Sequence, residues 1–274
     1  MATYPRVFIF LASVAMAGGM SIVQAASLTP AQKAAAIQSE KLTIPTPGEF
    51  FSAINKQGKP NWPTLIRKPV IQNTTNRAQI ALNLGTFIAD GYIAVEAQDG
   101  QQVKNVGKDI ITLAKALGVS QDIINRGNTI NDFAENNDWN GLNEELEATE
   151  NEVKLTMEKL KDTDLITLVT LGAWIRGVQV ASGIVTKAYT PASAKLLRQP
   201  AVIQYLLVQI GKLPPKLQSS FLVAQVQETL KATEALVNTP TDTPVAEATV
   251  REINEKMNKL IDEISTHKEG APAK

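Results

Sequence analysis

The chain contains no cysteine, and among its 274 residues there is a single histidine, His267, close to the C-terminus. The lack of cysteine excludes disulfides, thiol nucleophiles and cysteine-ligated zinc. A lone histidine near the chain end excludes a histidine-ligated di-iron site and leaves no placed base for a serine–histidine triad. Most common catalytic and metal chemistries are therefore missing, and we expect no catalytic residue, no metal site and no cofactor.

The chain also lacks an excess of charge of either sign, with 27 basic and 27 acidic residues. This balance gives no electrostatic footprint for nucleic acid or for an anionic membrane surface. Hydrophobic residues make up 44% of the chain, which is too many for a disordered acidic protein and enough for a large core. We therefore expect a folded protein that does not bind nucleic acid.

The N-terminal residues have the pattern of a secretory signal peptide. Arg6 precedes an apolar run from Val7 to Met16, and Val23-Gln24-Ala25 forms a cleavage box of small residues. We expect removal of residues 1–25 and a periplasmic or secreted protein. The alternative is an uncleaved membrane anchor, but the apolar run is short and no basic stop-transfer segment follows it.

Beyond the signal, apolar residues recur with helical period and no run alternates as a strand does. The fold class predicted is all-α, a single bundle of about eight main helices. We expect the bundle at 26–237, a linker at 238–244, an amphipathic helix at 245–267 and a disordered tail at 268–274.

Start and stop signals place the individual helices. Thr46 and Glu49 form a capping box, Gly118 follows a helix as a C-terminal glycine, and 59–63 is too rich in proline to be helical. The predicted helices are 29–41, 46–58, 74–98, 101–117, 120–135, 138–161, 163–189, 191–212 and 215–237.

The helix at 245–267 carries apolar residues at heptad spacing and could take two arrangements. It could dock on the bundle, which the short linker favours by keeping a surface at high effective concentration. It could instead pair with a protein partner or a second copy of the chain. The stripe consists of Val250, Ile253, Met257, Leu260 and Ile264.

The two most apolar helices share the pattern Leu-Gly-x-aromatic-Ile, at 84–88 and at 171–175. A glycine inside a helix destabilises it by about 1 kcal/mol relative to alanine. A close approach of the two helices would explain Gly85 and Gly172, and chance similarity is the alternative. We therefore expect these helices to pack against each other at the centre of the bundle.

The segment 165–185 is apolar enough to resemble a membrane span, but Arg176 lies in its middle. We expect a buried core helix and no membrane span once the signal is removed. A buried arginine needs a partner, and Asp90 lies at matching depth on the other central helix. Tyr92 is expected near this pair. The three residues form either the floor of a ligand pocket or, as we favour, a structural ion pair.

A run of glutamates occupies the first half of the helix predicted at 138–161, and lysines fill its second half. This distribution complements the helix dipole and predicts a solvated face. A weak calcium site is the alternative, while a ferritin-like site would need histidines that the chain lacks. The run consists of Glu144, Glu145, Glu147, Glu150 and Glu152.

Several short segments together resemble an uncharacterised family of exported, all-helical bacterial proteins, over 47–237. They are Pro47-Gly48-Glu49-Phe50-Phe51, Asn61-Trp62, Leu82 to Asp90, and Leu171 to Ile175. The resemblance implies an exported helical bundle and brings no known activity. This family commonly has an acidic residue where the chain has Arg176, so the resemblance carries no binding chemistry to this position.

The expected function is a non-enzymatic binding or interaction protein of the bacterial cell envelope, whose ligand the sequence does not identify. One alternative is a carrier of a small or lipid-like molecule, with its pocket between the two central helices. The other is a hydrolase or lyase that uses carboxylates alone, which would need a close Asp/Glu pair in a cleft. A cavity beside the polar residues would favour the carrier, and a filled core the interaction protein.

Overall fold

The computed structural model describes residues 45–68, 74–119, 121–240 and 243–268, with backbone alone at 121–125. Within these ranges the chain forms helices and no strand, and the predicted all-α bundle is confirmed. The predicted signal at 1–25, the predicted helix at 29–41 and residues 269–274 of the predicted tail lie outside the described residues.

Eleven α-helices and two short 3₁₀ helices, Trp62–Leu65 and Lys195–Leu197, make up the described part of the chain. In chain order the α-helices are α1 Pro47–Gln57, α2 Arg77–Glu96, α3 Gly100–Ala116, α4 Gln121–Glu135, α5 Trp139–Lys159, α6 Thr163–Lys187, α7 Pro191–Ala194, α8 Pro200–Lys212, α9 Pro215–Gln218, α10 Phe221–Val237 and α11 Glu247–Thr266.

Local capping signals set several of these ends as predicted. The Thr46 backbone N–H donates to Glu49 Oε2 at 2.9 Å, and Thr46 Oγ1 accepts from the Glu49 backbone N–H at 3.2 Å. Gly118 has φ +82°, the left-handed conformation of a C-terminal glycine. The prediction for 59–63 was wrong in one respect, because Trp62–Leu65 forms a short 3₁₀ helix behind the proline-rich turn.

Two segments that were predicted as single helices are broken. The segment 191–212 divides into α7, a 3₁₀ turn and α8, because Pro200 disfavours helical backbone at the preceding Gln199. The segment 215–237 divides into α9 and α10. There the Ser220 hydroxyl donates to a carbonyl of α9 at 2.6 Å, an alternative to continuing the helix.

Helices α2 and α6 form the centre of the bundle. They run parallel, since Leu82 on α2 contacts Gly172 on α6 and Asp90, further along α2, contacts Arg176, further along α6. Every residue of α2 from Ala78 to Val95 is buried. By length and composition alone either helix could cross a membrane, but all of the apolar stretch of α2 and 78% of that of α6 are buried inside the fold. Their apolar character is therefore accounted for by the protein core.

The two central helices touch through their backbones at the shared glycines. A Cβ atom on Gly85 would lie 2.0 Å from the Val169 carbonyl oxygen, and one on Gly172 would lie 2.0 Å from the Leu82 carbonyl oxygen. The contacts are reciprocal, because each glycine faces the carbonyl three residues before the other. The predicted close approach is confirmed, and it explains why both helices keep a glycine at an energetic cost.

Helix α11 lies antiparallel to α2 and α6 and covers both. Gln79 and Asn83 on α2 each donate a side-chain N–H to the Ile264 carbonyl, at 3.1 and 3.0 Å. Asn254 on α11 donates to the Gln179 carbonyl on α6 at 3.0 Å. The heptad stripe is buried within the same chain, so pairing through it with another molecule would require α11 to leave the bundle.

Candidate functional site

The structure brings the two predicted charges together at the centre of the bundle. Asp90 on α2 accepts a hydrogen bond at Oδ1 from Arg176 Nε on α6, at 2.8 Å. The Asp90 and Arg176 side chains are only 9% and 5% exposed. Their depth follows from the parallel packing, since each residue follows its helix's contact glycine by a similar distance along the chain.

A third charge, Arg67, joins this pair from the loop before α2. Its Nε donates to Asp90 Oδ2 at 2.7 Å, and its Nη2 donates to Thr86 Oγ1 at 2.8 Å. The loop is held in place by Trp62, which is buried and packs edge-on against Phe51 with ring centroids 5.2 Å apart. Arg67, Asp90 and Arg176 are called the Asp90 triad below.

The remaining donors of the Asp90 triad connect further segments. Arg176 Nη2 donates to the Leu65 carbonyl at 2.9 Å, and Arg67 Nη1 lies 3.5 Å from Ser265 Oγ on α11. The loop, α2, α6 and α11 therefore meet at one carboxylate. Each oxygen of this carboxylate accepts a hydrogen bond from a guanidinium group.

Charge around the triad is unbalanced, because two guanidinium groups face one carboxylate. Burial lowers the pKa of Arg176, the Asp90 carboxylate opposes this shift, and Arg67 adds to it. Burial, followed by the negative charge of Asp90, raises the pKa of Asp109 on α3. The triad therefore combines high desolvation with strong local charge, which suits a structural junction.

The free space beside the triad is too small for a ligand. A cavity of about 10 Å³ lies next to it, which leaves room for about one water molecule. Nor is there a pocket between α2 and α6 at their glycines, where the backbones are in contact. The cavity is lined by Ile66, Arg67, Asp90, Gln102 and Val106.

The raised pKa of Asp109 leads to a pH-dependent prediction. An acid whose pKa is raised by folding binds protons more readily in the native state, so its contribution to stability falls as pH rises from about 4. We expect Asp109→Asn to exceed the wild type in stability at pH 7 by about 0.5 kcal/mol or less, since this residue is half-exposed and screened. Urea unfolding at pH 7 and pH 4 measures the difference, and a difference that grows toward pH 4 would contradict the assignment.

Tyr92 lies apart from the Asp90 triad, contrary to expectation. Its ring packs against Gly48 on α1, where an added Cβ would lie 2.7 Å from Tyr92 Cε1. Two residues correspond to about 200° around a helix, so Tyr92 and Asp90 face nearly opposite sides of α2. The Tyr92 hydroxyl is buried without a hydrogen-bond partner, and burial raises its pKa, to which nearby carboxylates add, Glu150 most.

The predicted solvated face was wrong for Glu150. Glu144 and Glu147 are exposed, but the Glu150 side chain is only 6% exposed. Glu150 Oε1 accepts from Lys154 Nζ at 2.8 Å, whereas Oε2 is buried without a partner. The cause is periodicity, because Glu150 falls on the buried stripe of α5 with Leu142, Leu146, Val153 and Met157.

Glu150 and Lys154 also line an open groove of about 280 Å³ on the outer side of α6. The N-terminal end of α1, together with α5, α6 and α8, forms its walls. Two aromatic residues, Trp174 and Tyr205, lie among its lining residues. The groove is lined by Pro45, Thr46, Pro47, Glu150, Lys154, Ile166, Thr170, Ala173, Trp174 and Tyr205.

Metal binding has no geometric support in the described part of the chain. Within it, no three His, Asp or Glu side chains lie close enough together to hold a metal ion. The suggested calcium site on the glutamate run would use Glu147 and Glu150 together. They do not share a surface, because Glu147 is exposed and Glu150 turns inward.

Comparisons with protein-family models, with curated proteins and with solved structures find no match for this chain. The resemblance to an exported helical family therefore stays an expectation.

Proposed function

We propose that this chain is a non-enzymatic binding protein of the bacterial cell envelope, which offers a ligand groove on a closely packed helical bundle. The observation that carries the proposal is the groove beside Glu150, with its aromatic residues and its buried, unpartnered carboxylate oxygen. Ligand sites typically combine an apolar concave surface with a few polar groups, which this groove does. The signal-like pattern at 1–25 supports export.

The carrier function is supported in a modified form. Its original pocket, between the two central helices, has no room where Gly85 and Gly172 bring the backbones into contact. A small ligand has space instead on the other side of α6, in the groove beside Glu150. Binding there leaves the core of the bundle intact.

The hydrolase or lyase alternative gains no support from the carboxylates. Asp90 has both oxygens bonded to arginines, and the cavity beside it is too small for a substrate. Glu150 is bonded to Lys154 at one oxygen and shares the groove with no second carboxylate. General acid–base catalysis by a carboxylate pair needs two groups that both reach the substrate.

Export and binding can be tested together on the full chain expressed in a Gram-negative host. We expect the periplasmic fraction to contain a protein whose mass corresponds to residues 26–274. In native mass spectrometry it should carry an additional mass that denaturation removes. Ala25→Glu, which disrupts the cleavage box, should leave the signal attached.

Two results would contradict the proposal. A full-length protein confined to the cytoplasm would remove the export part. A processed periplasmic protein that has only its own mass under native conditions would remove the binding part.

A further inference from the structure

We propose that the groove beside Glu150 binds a small organic ammonium ion, held by the Glu150 carboxylate against Trp174 and Tyr205. This inference rests on the proposed binding function and assigns its ligand class.

The acceptor is the Glu150 carboxylate, which lies in the groove wall and is more than nine-tenths buried. One of its oxygens is bonded to Lys154 and the other has no partner. A buried carboxylate with an unused oxygen is energetically costly unless a donor reaches it. An O–H or N–H donor on a cationic ligand can satisfy such an oxygen, and the ligand's charge strengthens the attraction.

The unpartnered oxygen of Glu150 favours a cation over an anion. Glu150 is the single acidic residue among those lining the groove. Lys154 is the single cationic residue among those lining the groove. Lys154 is bonded to only one Glu150 oxygen, so the second oxygen repels an anion and can still accept from a cationic donor.

The aromatic residues suit an organic cation in particular. Ammonium groups are attracted to the faces of Trp and Tyr rings, and Trp is the strongest of these partners. Trp174 is fixed by a hydrogen bond from Nε1 to Gln199 Oε1 at 3.1 Å, so its indole is held in place before any ligand arrives. A bare metal ion would need several oxygen ligands, which this groove does not supply.

The size of the groove limits the ligand to a small molecule. Its volume of about 280 Å³ lies at the lower end of the range for ligand sites. Lys154 is 31% exposed and borders the same carboxylate, so its side chain can turn toward solvent when a ligand ammonium approaches Glu150. The ligand cation and the Lys154 ammonium therefore compete for one carboxylate.

Choline and its neutral isostere 3,3-dimethylbutan-1-ol provide a test with the processed full chain. In calorimetric titration at pH 8 we expect choline to bind at least about tenfold more tightly than the isostere, since the two differ mainly in charge. Equal affinity, or no choline binding up to about 10 mM, would overturn the proposal. This comparison needs no variant.

Variants test which residues bind choline. Glu150→Gln should weaken choline binding by about tenfold or more, whereas Glu228→Gln, at an exposed site on α10, should leave it unchanged. Lys154→Met should strengthen choline binding, because it removes the competing cation; weaker binding would overturn the proposal. Tyr205→Leu, at a half-buried position in the groove wall, should weaken choline binding even if Glu150→Gln fails to fold.

Native mass spectrometry of periplasmic Glu150→Gln separates this proposal from the broader one. Loss of the additional mass would support the assignment to this groove. An additional mass that persists would leave the binding function standing and would overturn the assignment of its site.

Discussion

Asp90→Leu is expected to lower the free energy of unfolding by about 3 to 5 kcal/mol, because it leaves two guanidinium groups in the core without their carboxylate. Arg176→Met should have a smaller effect, since Asp90 keeps Arg67 as a partner. Arg67→Met should have the smallest effect, because a neutral Asp90–Arg176 pair remains and Arg67 is the most exposed of the three. Urea unfolding gives all three values when the m-value is unchanged.

Combining the three substitutions should recover most of the stability that Asp90→Leu loses. Replacing a whole buried charge cluster with apolar side chains is often neutral, whereas removing one partner leaves an uncompensated charge. Lys104→Met provides the control, because its partner Glu135 is largely exposed and the pair lies at the surface. Additive losses across the series, or an Asp90→Leu effect below that of Arg67→Met, would show that the triad is not one electrostatic unit.

The sequence predicts the Asp90–Arg176 pair because each of these charges lies in an otherwise apolar helical stretch. A single charge in a long apolar helix must be paired, and Asp90 and Arg176 were the charges in two such helices. Arg67 could not be identified in the same way, because it lies in an irregular loop where no period marks it as buried. Its position depends on Trp62 anchoring that loop, which is a tertiary contact.

Two predictions are wrong at positions where two local signals in the sequence conflict. The charge pattern predicts a solvated face that includes Glu150. Its spacing from Leu146 and Val153 instead places Glu150 on the buried stripe of α5. The predicted single helix over 191–212 includes Pro200, although a proline disfavours helical backbone at the residue before it. In both cases the sequence carries the signal for the observed structure, in the helical spacing of Glu150 and in the proline at position 200.

The sequence does not predict the groove. Its walls come from α1, α5, α6 and α8, which are far apart in the chain, and no motif joins them. Trp174 is part of the shared helical pattern at 171–175. Its role in the groove follows from the outward side of α6, whereas the pattern reported on the side that faces α2.

Gly85→Ala and Gly172→Ala are each expected to destabilise the protein by about 3 kcal/mol, near the upper end for overpacking. The new Cβ would lie 2.0 Å from a backbone carbonyl oxygen of the facing helix, and a backbone cannot move aside as a side chain can. The two helices would have to separate along the whole core. This loss exceeds the gain of about 1 kcal/mol that alanine brings to an isolated helix.

Gly107→Ala is the matched control, because Gly107 also lies inside a helix but an added Cβ would meet nothing within 4 Å. There the intrinsic preference for alanine should dominate and stabilise the protein by up to about 1 kcal/mol. The same substitution therefore has opposite signs at sites that differ only in what faces the glycine. If thermal and urea unfolding show Gly85→Ala or Gly172→Ala to be as stabilising as Gly107→Ala, the two central helices do not touch through their backbones.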